Sequence, residues 1–367
     1  MMNLSKTAKI NRFFLASVIT LTVFGFIIFL SASLGLLAQT GASFNSVALK
    51  QTISFVIGLA VFFGLSRVKY TFFRKSALFL LLFAIGLNLL IFIPQISIFH
   101  GGASRWIDLG FFSFQPSEFL KIAFIIYAAA WIHYTKDKIK HLKWGFLPYM
   151  ILVAIMSVLL LSQTDTDTLV IIAFTGLVMF FIAGMPIKHI LLIGVIMCAL
   201  VACIIFLRPY AMQRITTFIN GGSDFQGAGY QINQSLIAIG SGQLTGRGFG
   251  QSIQKFGYLP QPTDDSIFAV SAEEFGFVGS VILIALYLLF AITSFKIGTR
   301  ASDTFGGFVA IGIAVLIITE SFLNMAAMLG LVPLFGIPLL FVSHGGTALI
   351  ITLAAAGIVA NISKYSR

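Results

Sequence analysis

Two aspartates, Asp264 and Asp265, stand side by side in the stretch YLPQPTDDSIFAVSAEEFGFVG (Tyr258 to Gly279), and Glu273 and Glu274 follow in the same segment. Pro260 and Pro262 stop regular structure ahead of them, so the aspartates fall at the mouth of an apolar helix. An acid there is favoured by the helix macrodipole. Capping requires one carboxylate, and the second is surplus. That surplus has the chemistry of a general base or of a divalent-cation ligand, for Mg2+ or a similar ion. Glu273 and Glu274 lie one or two turns deeper. Adjacent helical positions cannot both face lipid, so at least one is expected to pair with a cation inside the protein.

Three further stretches carry polar chemistry. In HGGASRWIDLGFFSFQPSEFLKIAF (His100 to Phe124), Gly101-Gly102 reads as a turn, Arg105 sits beside the aromatic Trp106, and Gln115-Pro116 opens a helix. Glu118 and Lys121 are three apart and share a face of that helix. A charge at the centre of a membrane span costs about 2.5–3.5 kcal/mol, and a neighbour of opposite sign offsets part of it. The pair is either a structural ion pair or, for Lys121 with Arg105, an anion-binding group facing a cavity. The second stretch, GYQINQSLIAIGSGQLTGRGFGQSIQKFGYLP (Gly229 to Pro260), is glycine-rich and contains Gln231, Arg247 and Lys255. It lacks the Gly-Lys-Ser/Thr ending of a nucleotide P-loop, so no nucleotide is expected. It reads either as backbone that cradles an anion or as a compact loop folded over the bundle. In the third, NMAAMLGLVPLFGIPLLFVSHGGTALI (Asn324 to Ile350), Pro333, Gly336 and Pro338 break the helical pattern, and Ser343, His344, Gly345 and Gly346 interrupt a span near its end. Irregular backbone at membrane depth is tolerated where it is buried in protein or lines a cavity. His344 is a packing residue or a ligand contact, and Glu320 is an intramembrane acid that pairs or functions.

The elements that must position these groups are membrane spans. The chain of 367 residues is 58% hydrophobic and 10% charged, with a mean hydropathy of +1.01. Soluble domains carry about 25% charged residues. At about 20 apolar residues per span, ten segments qualify: 13–38, 49–66, 76–94, 117–134, 145–162, 168–184, 187–207, 269–294, 305–332 and 338–362. The reading is an all-α integral membrane protein with one polytopic domain over 1–367 and two long connections, 95–116 and 208–268. The first span is too long for a cleaved signal peptide. Cys198 and Cys203 fall inside one apolar run at a spacing unsuited to a disulfide or a metal, and read as packing residues at lipid depth. No internal repeat is visible, which disfavours transporters built from duplicated halves.

The net charge of +11 is a topology signal. Lys6, Lys9 and Arg12, then Arg67, Lys69, Arg74 and Lys75, then Lys136, Lys138, Lys140 and Lys143, and finally Lys188, Lys296, Arg300, Lys364 and Arg367 fall on one alternating set of connections. By the positive-inside rule both termini are cytoplasmic and 95–116 and 208–268 are extracytoplasmic. Of the 12 acidic residues, only Asp137 and Asp303 fall on the cytoplasmic side. Nucleic acid is therefore not an expected partner.

RWIDLGFFSFQPSEFLK, GYQINQSLIAIGSGQLTGRGFGQSIQKFGYLP, DDSIFAVSAEEFGFVG and GIPLLFVSHGGTAL, in that order, resemble the SEDS family (shape, elongation, division and sporulation) of FtsW/RodA peptidoglycan glycosyltransferases. The likeness runs from about residue 100 to 350, and QKFGYLP is nearer the division members than the elongation members. It implies ten transmembrane helices in the bacterial cytoplasmic membrane, with a place at the division septum. It also implies polymerisation of lipid II into glycan strands on the outer face. The implied partners are a class B penicillin-binding transpeptidase and other division or elongation membrane proteins. The family's essential aspartate, in Leu-Pro-Glu-x-His-Thr-Asp, aligns with Asp265 in LPQPTDD. Asp264 then stands in place of Thr, the family's Gln-Pro-Asp reads QTDTD here, and its Ser-Tyr-Gly-Gly reads SHGG. Asp265, with Asp264, is the expected catalytic pair and the expected divalent-cation ligand. Arg105, Trp106, Glu118, Lys121, Gln231, Arg247, Lys255, Glu273, Glu274, Ser343, His344, Gly345 and Gly346 are expected to bind substrate. Two rival readings stand beside this one: a flippase for the same lipid, with Glu118, Lys121, Glu273, Glu274 and Glu320 lining a passage, and a non-catalytic scaffold, which has no use for paired carboxylates.

Overall fold

The computed structural model describes residues 9–38, 44–100, 103–110, 112–219 and 229–366. Lys6, the Gly101-Gly102 turn and Arg367 lie outside the described residues. Among the described residues, thirteen α-helices and one small sheet follow in chain order: α1 (Arg12–Ser33), α2 (Phe44–Leu65), α3 (Thr71–Lys75), α4 (Ala77–Leu89), β1 (Ser97–His100), β2 (Ala103–Asp108), β3 (Ser113–Phe114), α5 (Pro116–Thr135), α6 (Phe146–Ser162), α7 (Thr166–Ile182), α8 (Ile187–Leu207), α9 (Pro209–Ile219), α10 (Tyr230–Ser241), α11 (Ile267–Thr299), α12 (Thr304–Met328) and α13 (Gly346–Ser363).

Six of the described helices are long and apolar enough to cross a membrane: those beginning at Arg12, Phe44, Ile187, Ile267, Thr304 and Gly346. Three more, beginning at Ala77, Phe146 and Thr166, are apolar but shorter, and α5 is apolar apart from its charged first two turns. Starts follow local chemistry. Asn11 caps α1 by accepting from Phe14 N–H at 3.1 Å, Asp303 caps α12 through Gly306 N–H at 2.9 Å, and Pro116 occupies the first position of α5. α12 lies at the centre with α5 and α7 against it, and Gly312 of α12 admits Ile125 of α5 and Met179 of α7. α2 and α13 approach so closely that a Cβ on Gly357 would stand 2.7 Å from Phe62 O. Small residues permit such contacts between membrane helices. α8 packs at the periphery, and Cys198 and Cys203 on it are free and exposed; they face outward from the bundle instead of packing within it.

Two differences from the sequence expectation matter for the site. The connection 95–116 is not an open loop: β1, β2 and β3 form an antiparallel sheet with Ile98 opposite Trp106 and Ile107 opposite Phe114. The last expected span, 338–362, is helical only from Gly346 onward. Residues 332–345 are irregular and α13 begins at Gly346, because Pro333 and Pro338 cannot continue a helical ladder. The freed backbone is satisfied by buried side chains. Asn324 Nδ2 donates to Ile337 O at 2.8 Å, Ser343 Oγ accepts from Leu339 N–H at 2.8 Å, and the Tyr287 hydroxyl donates to Leu340 O.

The bundle is polarised. At one end Arg74 pairs with Asp303 at 3.0 Å, Lys364 Nζ donates to Ser66 O at 2.8 Å, and Asn11 N–H donates to Ser363 Oγ at 3.0 Å. The basic connections therefore meet on one face. The sheet, α9, α10 and the two aspartates lie at the opposite end.

Candidate functional site

Asp264 and Asp265 end a turn-rich segment that leads directly into α11. Three neighbours hold it. Asn324 of α12 donates to Asp265 O at 2.8 Å, Ser343 Oγ donates to Asp264 O at 2.7 Å, and Gln231 of α10 donates to Ser266 Oγ at 3.0 Å. The backbone of the pair is thus fixed from α10, α12 and the irregular segment before α13, while both side chains keep part of their surface open.

Gly336 marks where the charged groups converge. From the position a Cβ would take on it, an Arg214 guanidinium nitrogen is 3.5 Å away and carboxylate oxygens of Asp167 and Asp265 are each 3.8 Å away. Arg214 of α9 pairs with Asp167 of α7 at 3.1 Å, and the Gly336 N–H donates to the same carboxylate at 3.3 Å. Arg105, on β2, donates to Thr164 O just before α7. Burial above all, with Asp264 and Asp167 adding to it and Arg214 and Arg105 opposing, raises the Asp265 carboxyl from 3.8 to about 7. Asp265 is thus a carboxyl raised well above the ordinary carboxylate range, in the field of two guanidinium groups.

Sequence reasoning assigned no place in the site to Asp167, and counted Arg214 only as one of five cations, with Arg105, Lys121, Arg247 and Lys255, available to a departing pyrophosphate. The signal for Asp167 was present in QTDTD, where Asp165 already caps α7 through Thr168 N–H, which leaves the second aspartate without a capping task. What sets Arg214 apart from the other four cations is where α9 turns back toward α7.

Several expected substrate contacts are placed elsewhere. Lys121 pairs with Glu118 at 2.9 Å and with Glu320 at 2.7 Å, all three buried inside the bundle. Lys255 is fully buried, pairs with Glu274 at 2.6 Å and also donates to Ser31 Oγ at 3.1 Å. Glu273 accepts from Ser252 Oγ at 2.5 Å and from the N–H groups of Ile253 and Gln254 at 3.1 and 3.3 Å, with Arg247 Nε at 3.4 Å. Lys121, Glu118, Lys255, Glu273 and Glu274 thus take the structural reading open to them in the sequence and have partners inside the bundle: a charge persists in a low-dielectric interior only when it is paired. Arg247 is the half-exposed outer member of the second cluster. Gly345 N–H approaches Gln51 Oε1 at 3.5 Å, Gly346 opens α13, and Trp106 lies partly exposed on β2.

The glutamate cluster explains the glycine-rich stretch. α11 is broken at Gly276, with φ 65° and ψ −164°. The loop replaces the hydrogen bonds lost there. Arg247 and Gly248 N–H donate to Glu273 O and Glu274 O, both at 3.0 Å, while Gln243 O and Leu244 O accept from Phe277 and Val278 N–H at 2.9 and 3.1 Å. The stretch is a loop spliced into a helix, and its backbone donors are engaged by that helix instead of by an anion. Among the described residues no three His, Cys, Asp or Glu side chains are placed to hold a metal ion. Asp264 Oδ1 faces His344 at 3.3 Å, and Arg214 lies in the electrostatic surroundings of Asp265.

The family model for cell cycle proteins of the FtsW, RodA and SpoVE type matches residues 11–367. A probable peptidoglycan glycosyltransferase FtsW from Geobacter is 38% identical over 349 residues, covering 95% of each chain. Stage V sporulation protein E of Bacillus subtilis is 36% identical over 320 residues, covering 87% of each. Among solved structures, a chain from a peptidoglycan synthase complex that coordinates polymerization and crosslinking superposes with a TM-score of 0.79 at 24% identity, covering 98% of this chain and 99% of that one. The rod shape determining protein RodA of Thermus thermophilus superposes with a TM-score of 0.71 at 23% identity, covering 96% of each. These last two are likenesses of fold.

Proposed function

The chain belongs to the FtsW, RodA and SpoVE family of cell cycle proteins, and from that premise we propose that it is a peptidoglycan glycosyltransferase, polymerising lipid II at the outer face of the cytoplasmic membrane during cell division. Its relatives carry the glycosyltransferase name over nearly the whole of its length. The observation that carries the chemistry is the convergence of Asp265, Asp167 and Arg214 at one point beside Gly336, at the end of the bundle opposite the basic connections.

The donor sugar is already activated as a polyprenyl pyrophosphate, so no nucleotide is needed. Asp265 accepts the proton of the acceptor sugar hydroxyl as that oxygen attacks the donor's anomeric carbon. The bond from the anomeric carbon to the pyrophosphate oxygen breaks, and its electron pair leaves with the pyrophosphate. Arg214 and Arg105 stand where that charge develops and offset it. A carboxyl near pH 7 in basicity suits the task, since general bases work best close to ambient pH and contribute about 10²–10⁴-fold. A class B penicillin-binding transpeptidase is the proposed partner, because polymerised strands require crosslinking and the similar solved chain comes from a synthase complex. The division septum is the proposed place.

The test is a gel-based lipid II polymerisation assay on the purified protein, with and without the transpeptidase and with Mg2+ or chelator. The native protein should make glycan strands, and Asp265→Asn should make none at any pH. Polymer from Asp265→Asn at the native rate would remove Asp265 as the base. Movement of lipid II across liposomes without polymer would favour a flippase instead.

A further inference from the structure

The turn between α5 and α6 lies at the basic end of the bundle, away from the aspartates. In YTKDKIKHLKWGF (Tyr134 to Phe146), Lys136, Lys138, Lys140 and Lys143 fall with a single acid, Asp137. All four lysines are exposed, and among the described residues none of them is in an ion pair. Other cations at this end are engaged by the protein: Arg74 pairs with Asp303, and Lys364 donates to Ser66 O. The turn is also firmly built. Ile139 is buried, and Gly145 packs so closely that a Cβ on it would stand 2.1 Å from Ile139 O. His141 O accepts from Trp144 and Gly145 N–H at 3.1 and 2.9 Å, and Leu142 O accepts from Leu147 N–H at 2.9 Å. Trp131 of α5 donates its indole N–H to Trp144 O at 2.9 Å, and the two rings stack with centroids 6.3 Å apart. Lys138 Nζ lies 5.4 Å from the centre of the Trp144 ring. Beside the lysines, Tyr134 and Leu142 are 70% and 54% exposed.

We propose that this turn binds the headgroup of an anionic phospholipid in the membrane leaflet at the basic end of the bundle. Positive charge that only sets orientation needs no particular arrangement. Here it is carried on a folded turn beside a tryptophan pair, at the ends of two apolar helices. Tryptophan favours headgroup depth, because its ring is apolar and its N–H polar. Lysine ammonium groups meet a phosphodiester as point charges, and a polybasic segment next to a membrane helix attracts anionic lipid. Tyr134 and Leu142 offer apolar contact to a lipid, which a phosphate ion in solution does not use. An acidic protein segment would not require the turn to sit where α5 and α6 leave the membrane. A lipid is the occupant that meets both the charge and the apolar rim. The site makes and breaks no bond, and it stands independently of the role of Asp265.

The experiment is native mass spectrometry of the full-length protein in detergent, titrated with dioleoyl phosphatidylglycerol or dioleoyl phosphatidylcholine. Each lysine near an anionic lipid surface is worth about fivefold in affinity. The native protein should therefore prefer phosphatidylglycerol by on the order of a hundredfold, and the preference should shrink as salt is raised. Lys138→Gln, Lys140→Gln and Lys143→Gln together should abolish most of it, and the same three positions changed to Arg should keep it. Lys296→Gln with Arg300→Gln, a control on another connection at the same end, should leave it unchanged. Equal binding of the two lipids by the native protein overturns the proposal. So does a native preference in the triple Gln variant, or an equal loss in the control, which would make the effect one of overall charge. Inorganic phosphate that binds as tightly as the lipid, or a polyglutamate peptide bound in preference to it, would assign another occupant and overturn it as well. The two-lipid comparison on the native protein decides the question even if the triple Gln variant fails to fold.

Discussion

At the scale of single residues, Asp265 is shaped by opposing neighbours. Two carboxylates and burial hold its proton, and two guanidinium groups draw it off. For a base, the rate should rise with pH through about 7, and kcat/KM measured from pH 5 to 9 should show that acid limb. Arg214→Gln removes a cation that favours ionisation, so its limb should lie at higher pH. Stability should run the other way. A carboxyl at 3.8 when unfolded and about 7 when folded makes the folded state bind more protons between those values. The folded protein is then favoured at low pH and loses that advantage as pH rises through the window. Asp265→Asn carries no such charge. In detergent at pH 8 it should melt at or above the native temperature, with the gap closing toward pH 4. A lower melting temperature for Asp265→Asn at pH 8 would mean the native carboxylate is stabilised, against this account.

At the scale of elements, the splice between α11 and the loop before it sets where the aspartates stand. Gly276 adopts a left-handed conformation, and a Cβ there would lie 2.3 Å from Gly246 N. No side chain fits without pushing the loop away. Glu274 and Lys255 form the buried half of the same joint. Breaking one partner of a buried pair leaves an uncompensated charge and costs about 3–5 kcal/mol, whereas replacing both with apolar groups is often neutral. Lys255→Met should therefore lower the melting temperature clearly, and Lys255→Met with Glu274→Leu should recover much of the loss. Equal destabilisation by the single and double variants would show that the joint is not an ion-pair lock.

At the scale of the whole molecule, the polarity of the bundle carries the functional reading, because the proposed reaction uses its donor on one side of the membrane only. Basic connections at one end and the aspartates at the other predict opposite accessibilities. With Cys198 and Cys203 first replaced by Ala, Asp108→Cys should react with an impermeant maleimide in intact cells. Lys138→Cys, on the other end, should react only after permeabilisation. The reverse pattern would place Asp265 in the cytosol and end the proposal.

Composition and the spacing of Lys and Arg were enough, without coordinates, to define a polytopic membrane protein with a favoured orientation, because the cost of charge in hydrocarbon is paid segment by segment. LPQPTDD was enough to single out Asp264 and Asp265, since two acids exceed what one helix start requires. Which cations serve them was not legible. Lys121 and Lys255 read as well as Arg105 does, yet Glu320 and Glu274 occupy them inside the bundle, while Arg214 is brought to Asp167 from 47 residues away. Ion pairing is a matter of distance in space and of local dielectric, and segments remote in the chain set both. Only the tertiary structure could decide which charges are spent on holding the protein together and which remain for chemistry.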